Sequence, residues 1–315
     1  MVSRYLHMFA RWGRMFWGSS YYHLPQGLGK LFVPNKVEGY FNDLTAKTKW
    51  EGPTDENNIP INRIEDGSLV YFATTIVQKG LGHWDKWLLS QNLKEKESFL
   101  SVCDWLVKNQ DEEGGWPIWP QVGLSLSSPY SAMTQGEGIS ALVRAWSVTG
   151  DEIYLVSAQK ALAPILRLIE EGGVARKVPE GIILEEVPSS HLSGILNGWI
   201  FALFGLYDFL IVEEISDVRK VMEQTLQTLV AYLPRYNAGY WSFYDLQENL
   251  ASPFYHRLHI AQIEALGLAF PEYSEVFSRY HQEFGQQLLS WTNRTRAVIV
   301  KAWQKLKNPP EVLLR

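Results

Sequence analysis

From Ser68 onward the chain is written almost continuously in the helical period, and this restricts the fold more than any other feature. Apolar residues recurring at i, i+3 and i+4 make one face of a helix. That spacing predicts helices over Val70 to Lys79 and over Lys94 to Asn109, where Phe99, Val102, Cys103, Leu106 and Val107 form a stripe. Further helices are expected from Ser131 to Val148, stopped by Thr149-Gly150-Asp151, and from Glu152 to Glu170, ended by Gly172-Gly173. Val174 to Leu184 lacks the helical period and is rich in β-branched residues, which suits a short hairpin. Helices resume over Ser193 to Asp208, Ile215 to Leu233, His256 to Leu266 and Ser274 to Leu289, and Thr292 to Leu306 reads as an amphipathic tail. The helices come in pairs, with glycines, tryptophans and chemistry-bearing side chains in the connections between pairs. A ring of helical hairpins gathers alternate connections at one mouth, so the expected fold is mainly α, an (α/α) toroid or incomplete barrel.

The first 65 residues differ in kind. They are rich in Gly, Pro, Asn and aromatics, as in Gly27-Leu28-Gly29 and Gly52-Pro53-Thr54, and read as loops with a few short strands. The expected division is therefore 1–65 for this segment, 66–290 for the helical catalytic domain and 291–315 for a helical tail. A formal charge of −5 gives no overall attraction to nucleic acid. The single cysteine, Cys103, excludes an intrachain disulfide and reads as a small buried helical residue. No apolar run approaches the roughly 18 residues needed to span a membrane. Arg4, Arg11 and Arg14 interrupt the aromatic stretch Met1 to Trp17, so a secretory leader is not expected and a cytoplasmic location is.

Candidate chemistry concentrates in a few segments. Tyr255-His256-Arg257-Leu258-His259-Ile260-Ala261-Gln262 follows Ser252-Pro253, and a helix opening there puts Tyr255, His259 and Gln262 on one face. A phenol and an imidazole can move protons near neutral pH once tuned; the alternative is a buried helix with structural histidines. Glu185-Glu186 before Val187-Pro188 offers carboxylates or a solvated acidic loop. Tyr240 to Tyr244 offers phenols beside Asp245 or an aromatic segment packed on helices. Arg144, on the helix that also carries Gln135, is either a core-edge ion pair or a guanidinium shaped to hold a carboxylate. His256 and His259 have no third ligand spaced to join them, and no metal is expected. Thirteen tryptophans and fifteen tyrosines exceed the needs of an ordinary core, and aromatic faces in a cleft suit sugar rings.

An ordered set of segments resembles the C-terminal helical domain of D-glucuronyl C5-epimerases. These are Asp104-Trp105-Leu106-Val107-Lys108-Asn109-Gln110-Asp111 with Gly114-Gly115-Trp116-Pro117-Ile118, Tyr130-Ser131-Ala132-Met133 with Gln135-Gly136, and Ile139 to Ala145. Leu196-Asn197-Gly198, Gly205-Leu206-Tyr207-Asp208, Tyr244-Asp245-Leu246 and Tyr255-His256 with His259-Ile260 continue it, over about residues 95 to 285. The resemblance implies an (α/α) toroid that converts D-glucuronate to L-iduronate within a heparosan-type or heparan-type polysaccharide. No cofactor is implied, and family members are often dimers, so a homodimer contact is expected around Trp291 to Leu306. By resemblance, Tyr255, Tyr244 and Glu186 are the catalytic candidates. Arg144, Gln135, His256, His259, Asn197, Trp116 and Glu185 are the substrate-binding candidates.

The implied chemistry removes the proton beside the uronate carboxylate and returns one to the opposite face. Acid–base groups supply about 10²–10⁴-fold, so charge stabilisation must supply more. A tyrosine of pKa about 10 is a poor base at neutral pH and needs cationic or hydrogen-bonding neighbours, for which His256, His259 or Arg144 are the candidates. The expected assignment is Tyr255 on one face and Glu186 on the other, with Tyr244 positioning or relaying. Where the family has Glu-Tyr-Pro, this chain has Glu186-Val187-Pro188. That departure keeps open a non-catalytic polysaccharide-binding homologue, and a uronate polysaccharide lyase stays open because it begins with the same proton abstraction and uses the same residue types. A glycoside hydrolase is disfavoured, because adjacent Glu185 and Glu186 diverge rather than flank one bond.

Overall fold

The computed structural model describes residues 24–64 and 66–307, and over that span the chain is mainly helical. The stretch Met1 to Trp17, most of the aromatic segment around it and the last residues of the tail lie outside the described residues. The described residues fall into two compact units, Gly29–Ala231 and a second made of 24–28 and 232–307.

The first unit opens in loops and a two-stranded antiparallel ribbon, β1 (Asn62–Arg63) and β2 (Leu69–Val70). Helices α1 (Ala73–Ser90), α2 (Leu93–Lys108), α3 (Ala132–Thr149) and α4 (Glu152–Leu166) follow. The antiparallel hairpin β3 (Ala175–Val178) and β4 (Gly181–Leu184) pairs Ala175 with Leu184 and Arg176 with Ile183. Then come α5 (Leu196–Val212) and α6 (Ser216–Tyr232), which runs to the unit boundary. Side-chain caps start two of these helices where polar residues precede an apolar stripe. Asn92 Oδ1 accepts from the Lys94 N–H at 3.1 Å, and Asp151 Oδ1 from the Ile153 N–H at 3.1 Å.

At the centre, α3 is buried continuously from Ala132 to Ala145 and α5 from Leu196 to Leu210. A helix apolar on every side belongs inside, and α5 satisfies that rule outright. The two cross at glycines. A Cβ on Gly205 would lie 2.3 Å from the Gly136 Cα, and one on Gly136 would lie 2.6 Å from the Ala202 Cα. A mid-helix glycine gives up about 0.5–1 kcal/mol of helix propensity relative to alanine; here that loss is exchanged for backbone-close packing.

Element boundaries differ from the sequence expectation for identifiable reasons. Val70 pairs in β2, so α1 starts at Ala73, and it continues through Gly80 and Gly82 to Ser90. Those glycines serve contact: Cβ atoms on them would strike Val102 at 2.6 Å and the Leu44 carbonyl oxygen at 2.4 Å. α4 ends at Leu166 rather than Glu170 because the Pro164 carbonyl accepts from Val174 at 2.9 Å. α5 starts at Leu196 because Ser193 and Gly194 give their N–H groups to Glu185.

In the second unit, α7 (Pro253–Ala269) pairs with α8 (Ser274–Leu289), and α9 (Trp291–Lys307) packs on both. Ser252 caps α7 by accepting from the Tyr255 N–H at 3.4 Å, with Pro253 at the first helical position. The irregular segment before α7 is folded by the bridges Asn237–Ser242 and Phe243–Leu250. Trp241, Leu250 and Ala251 bury against Ala297 of α9. No helix among the described residues is long and apolar enough to cross a membrane.

Gly136→Ala should destabilise the protein by about 1–3 kcal/mol, because the obstacle is backbone and cannot rotate away. A thermal midpoint unchanged by circular dichroism would remove the crossing from its central place.

Candidate functional site

Within the first unit, β4 delivers two consecutive carboxylates to opposite sides of the chain. Glu185 is fully buried, and its carboxylate accepts from Arg176 Nε at 2.9 Å, Ser193 N at 3.1 Å, Ser193 Oγ at 2.5 Å and Gly194 N at 2.9 Å. Its own N–H and carbonyl are held by Val174 and Ala132. Glu185 is thus an anchor between the hairpin, α3 and the start of α5.

With Glu185 fixed, Glu186 faces the other way and keeps partial contact with water. Its seat is the first turn of α5: Asn197 Nδ2 donates to its Oε2 at 3.5 Å, and a Cβ on Gly198 would fall 2.2 Å from that oxygen. Burial, with the negative charge of Glu185 behind it, pushes the Glu186 carboxyl up to about 7. A carboxyl that is partly protonated and partly ionised at neutral pH, on a residue not wholly buried, is suited to give and take protons.

Glu137, on α3, is fully buried. Gln78 Nε2 of α1 donates to its Oε1 at 2.9 Å, while its Oε2 has no hydrogen-bond partner. Burial pushes this carboxyl up to about 8; the Gln78 bond and the Lys47 charge oppose the shift, and Glu186 reinforces it. The ammonium of Lys47, in the 3-10 turn Thr45–Thr48, makes no hydrogen bond or ion pair among the described residues, and burial lowers it. Sequence reading passed over Lys47 and Glu137. The signal for Glu137 was present: a carboxylate between Gly136 and Gly138, in a helix too apolar to face solvent.

The remaining candidates of this unit are committed to the fold. All five N–H groups of Arg144 are engaged: Nε to the Glu38 carbonyl at 3.1 Å, Nη1 to the Ser140 carbonyl and Asp208, Nη2 to the Gly39 carbonyl and Asp208. The Arg144–Asp208 pair, at 2.5 Å, is almost fully buried. Trp116 is buried and donates Nε1–H to the Leu106 carbonyl at 2.9 Å. Gln135 is buried, with Nε2 3.4 Å from the Trp116 carbonyl and Oε1 without a partner.

In the second unit, Tyr244 and Tyr255 are half-buried, with ring centroids 4.7 Å apart. His256 and His259 lie beneath them with no exposed surface. The Ser242 N–H donates to His256 Nδ1 at 3.2 Å, so His256 carries its proton on Nε2 and gives it to the Phe284 carbonyl at 3.1 Å. Ser242 Oγ bridges the two rings, 2.8 Å from His256 Nδ1 and 2.9 Å from His259 Nδ1. Trp241 stacks on His256 at 3.8 Å. Burial drives both histidines down to about 3, so at neutral pH they are uncharged. As uncharged rings, His256 and His259 supply no cationic charge at neutral pH.

The family model described as the D-glucuronyl C5-epimerase C-terminus matches residues 110–286. The chain belongs to this family. The D-glucuronyl C5-epimerase of Caenorhabditis elegans is 32% identical over 248 residues, covering 69% of this chain. The chain spans only 40% of the length of that relative. An uncharacterised protein of Methanocaldococcus jannaschii is 26% identical over 219 residues, covering 62% of this chain and 70% of the other.

Two outcomes follow from these placements. Arg144→Met should cost about 3–5 kcal/mol by leaving Asp208 buried and unpaired, and a smaller loss in urea denaturation would argue against the five-donor arrangement. The histidines bind protons near 6.5 when unfolded and about 3 when folded, so the stability they contribute is complete above about pH 6.5 and is lost as pH falls toward 3. His259→Gln should flatten that acid-side slope by up to about 1.4 kcal/mol per pH unit, and an unaltered slope would mean His259 is already charged.

Proposed function

We propose that this chain is a cofactor-independent uronate C5-epimerase that inverts D-glucuronate to L-iduronate within an acidic, heparosan-type polysaccharide. The observation that carries the reading is Glu186: a carboxyl pushed up to about 7 by burial, seated by Asn197 and Gly198 in a chain of the C5-epimerase family.

The reaction removes the C5 proton, whose acidity comes from the adjacent carboxylate, and returns a proton to the other face. Two proton-transfer groups are therefore needed, and Glu186 and Tyr255 are the assigned pair, with Tyr244 positioning or relaying. Glu186 in its ionised form takes the proton, and in its protonated form gives one back. The developing enolate bears extra negative charge on the carboxylate, so a cation is worth most there. Lys47, with no hydrogen bond or ion pair to its ammonium among the described residues, supplies positive charge beside Glu137 and draws that carboxyl down. Glu137, with a carboxyl near 8, is mostly neutral at pH 7 and does not cancel it. Val187 leaves no phenol next to Glu186 in the sequence.

The test is incubation with heparosan in D2O, followed by NMR of the uronate ring. Deuterium at C5 with iduronate signals is expected. Exchange should fall by about 10²–10⁴-fold in Glu186→Gln and in Tyr255→Phe. Because the base form of Glu186 is needed, the rate should rise with pH through about 7. An unsaturated uronate would instead establish a lyase. Binding without exchange, restored to exchange by Val187→Tyr, would establish a disabled homologue.

A further inference from the structure

The helix α9 lies beyond the matched span 110–286, yet it is built into the tyrosine segment. Ala297 joins the buried cluster of Trp241, Leu250 and Ala251, with Val300, Tyr244 and Tyr255 packed against it. One turn on, Gln304 Oε1 accepts from the Leu250 N–H at 2.9 Å and Gln304 Nε2 donates to the Glu248 carbonyl at 3.1 Å. Positions 297, 300, 301 and 304 share one helix face, so Lys301 is brought to the same place, with its Nζ 6.0 Å from the Tyr244 ring centroid.

Lys301 is half-buried, and its ammonium makes no hydrogen bond or ion pair among the described residues. The nearby carboxylate is taken: Asp245 accepts from Gln247 N at 3.1 Å, Asn249 N at 3.0 Å and Asn249 Nδ2 at 2.8 Å. Burial, with the charge of Lys305, lowers the Lys301 ammonium to about 8, which leaves it mostly cationic at neutral pH. Asp245 opposes that shift in part, but the helix that carries Lys301 has the same sign throughout. From Trp291 to Lys307 the helix carries Arg294, Arg296, Lys301, Lys305 and Lys307 and no acidic residue, in a chain of net charge −5. A half-buried cation that has lost water and gained only the Tyr244 ring and a share of the Asp245 charge is incompletely satisfied, and an anionic ligand would complete it.

We propose that α9 is the cationic docking surface for the acidic polymer and that Lys301 is the binding residue that receives a uronate carboxylate beside Tyr244 and Tyr255. The identity of the anion rests on the epimerase reading; the site itself rests on the placement of Lys301. The carboxylate is the group shared by every residue of a non-sulfated glucuronate polymer, so one lysine engages each uronate as it enters. Because α9 carries this charge outside the matched family span, binding strength is set by a segment separate from Glu186.

The experiment is calorimetric titration of the whole protein with a defined heparosan oligosaccharide, for wild type, Lys301→Met, Lys301→Arg and Lys36→Met. Lys36 is an exposed lysine of the first unit and serves as the charge-matched control. A charge-assisted bond lost at Lys301 should weaken binding roughly 10–100-fold, Lys301→Arg should stay within a few-fold of wild type, and Lys36→Met should leave binding unchanged. Salt dependence should flatten in Lys301→Met, a readout that loss of packing alone would not move. Equal weakening by Lys301→Met and Lys36→Met, or none by Lys301→Met, overturns the proposal, as does a wild-type protein that does not bind the oligosaccharide. C5 exchange measured on the same samples separates the two claims. Lys301-dependent binding without exchange keeps the docking surface and removes the epimerase, and exchange indifferent to Lys301 does the reverse.

Discussion

The backbone contact between α3 and α5 is the constraint on which the first unit depends. Two helices can approach this closely only where side chains are absent, and Gly136 and Gly205 provide that. Gly198 stands seven residues before Gly205, two turns along the same face of α5. The stripe that admits α3 at one end therefore admits Glu186 at the other. Glu137 follows Gly136 directly, so the contact also fixes where its buried carboxyl must lie. A single steric device thus determines both the core of the unit and the seat of its candidate acid–base group.

Buried charge in this unit takes two forms with opposite meanings. Arg144 with Asp208, and Arg176 with Glu185, are saturated with partners. Removing one member leaves the other stranded, so such groups are structural regardless of how catalytic they look in the sequence. Glu137 and Glu186 lack that saturation, and desolvation raises both carboxyls into the neutral range. Lys47 and Lys301 are the cationic counterparts, each partly buried, with no hydrogen bond or ion pair to its ammonium among the described residues. Catalytic promise in this chain therefore follows incomplete satisfaction rather than residue type.

Most of the helices were legible because burial of one face imposes a period that the apolar residues must follow. The limits of α8 (Ser274–Leu289) were read to the residue, and those of α2 and α3 to within one at each end. The misjudged boundaries depended on partners distant in sequence. The need for Gly80 and Gly82 inside α1 shows only once Val102 and the Leu44 carbonyl are seen filling the space above them. Ser193 and Gly194 look helical until Glu185 is seen taking their donors. The histidines are the clearest case at the site. Their spacing on α7 was plain, but whether an imidazole is a proton carrier or a buried neutral strut depends on Ser242, Trp241 and Phe284.

The sequence by itself determined the mainly helical class, the hairpin before Glu185, the buried state of Cys103 and the family, because periodicity and ordered local motifs survive without coordinates. Only the tertiary structure decided which charges are spent and which are open. Arg144 loses its five donors to carbonyls of Glu38, Gly39 and Ser140 and to Asp208, and Glu186 differs from its neighbour Glu185 only in what surrounds it. The physical reason is that a local pattern fixes the face a residue occupies. Its charge and its freedom to bind are set by desolvation and by hydrogen-bond partners that the chain brings from far away.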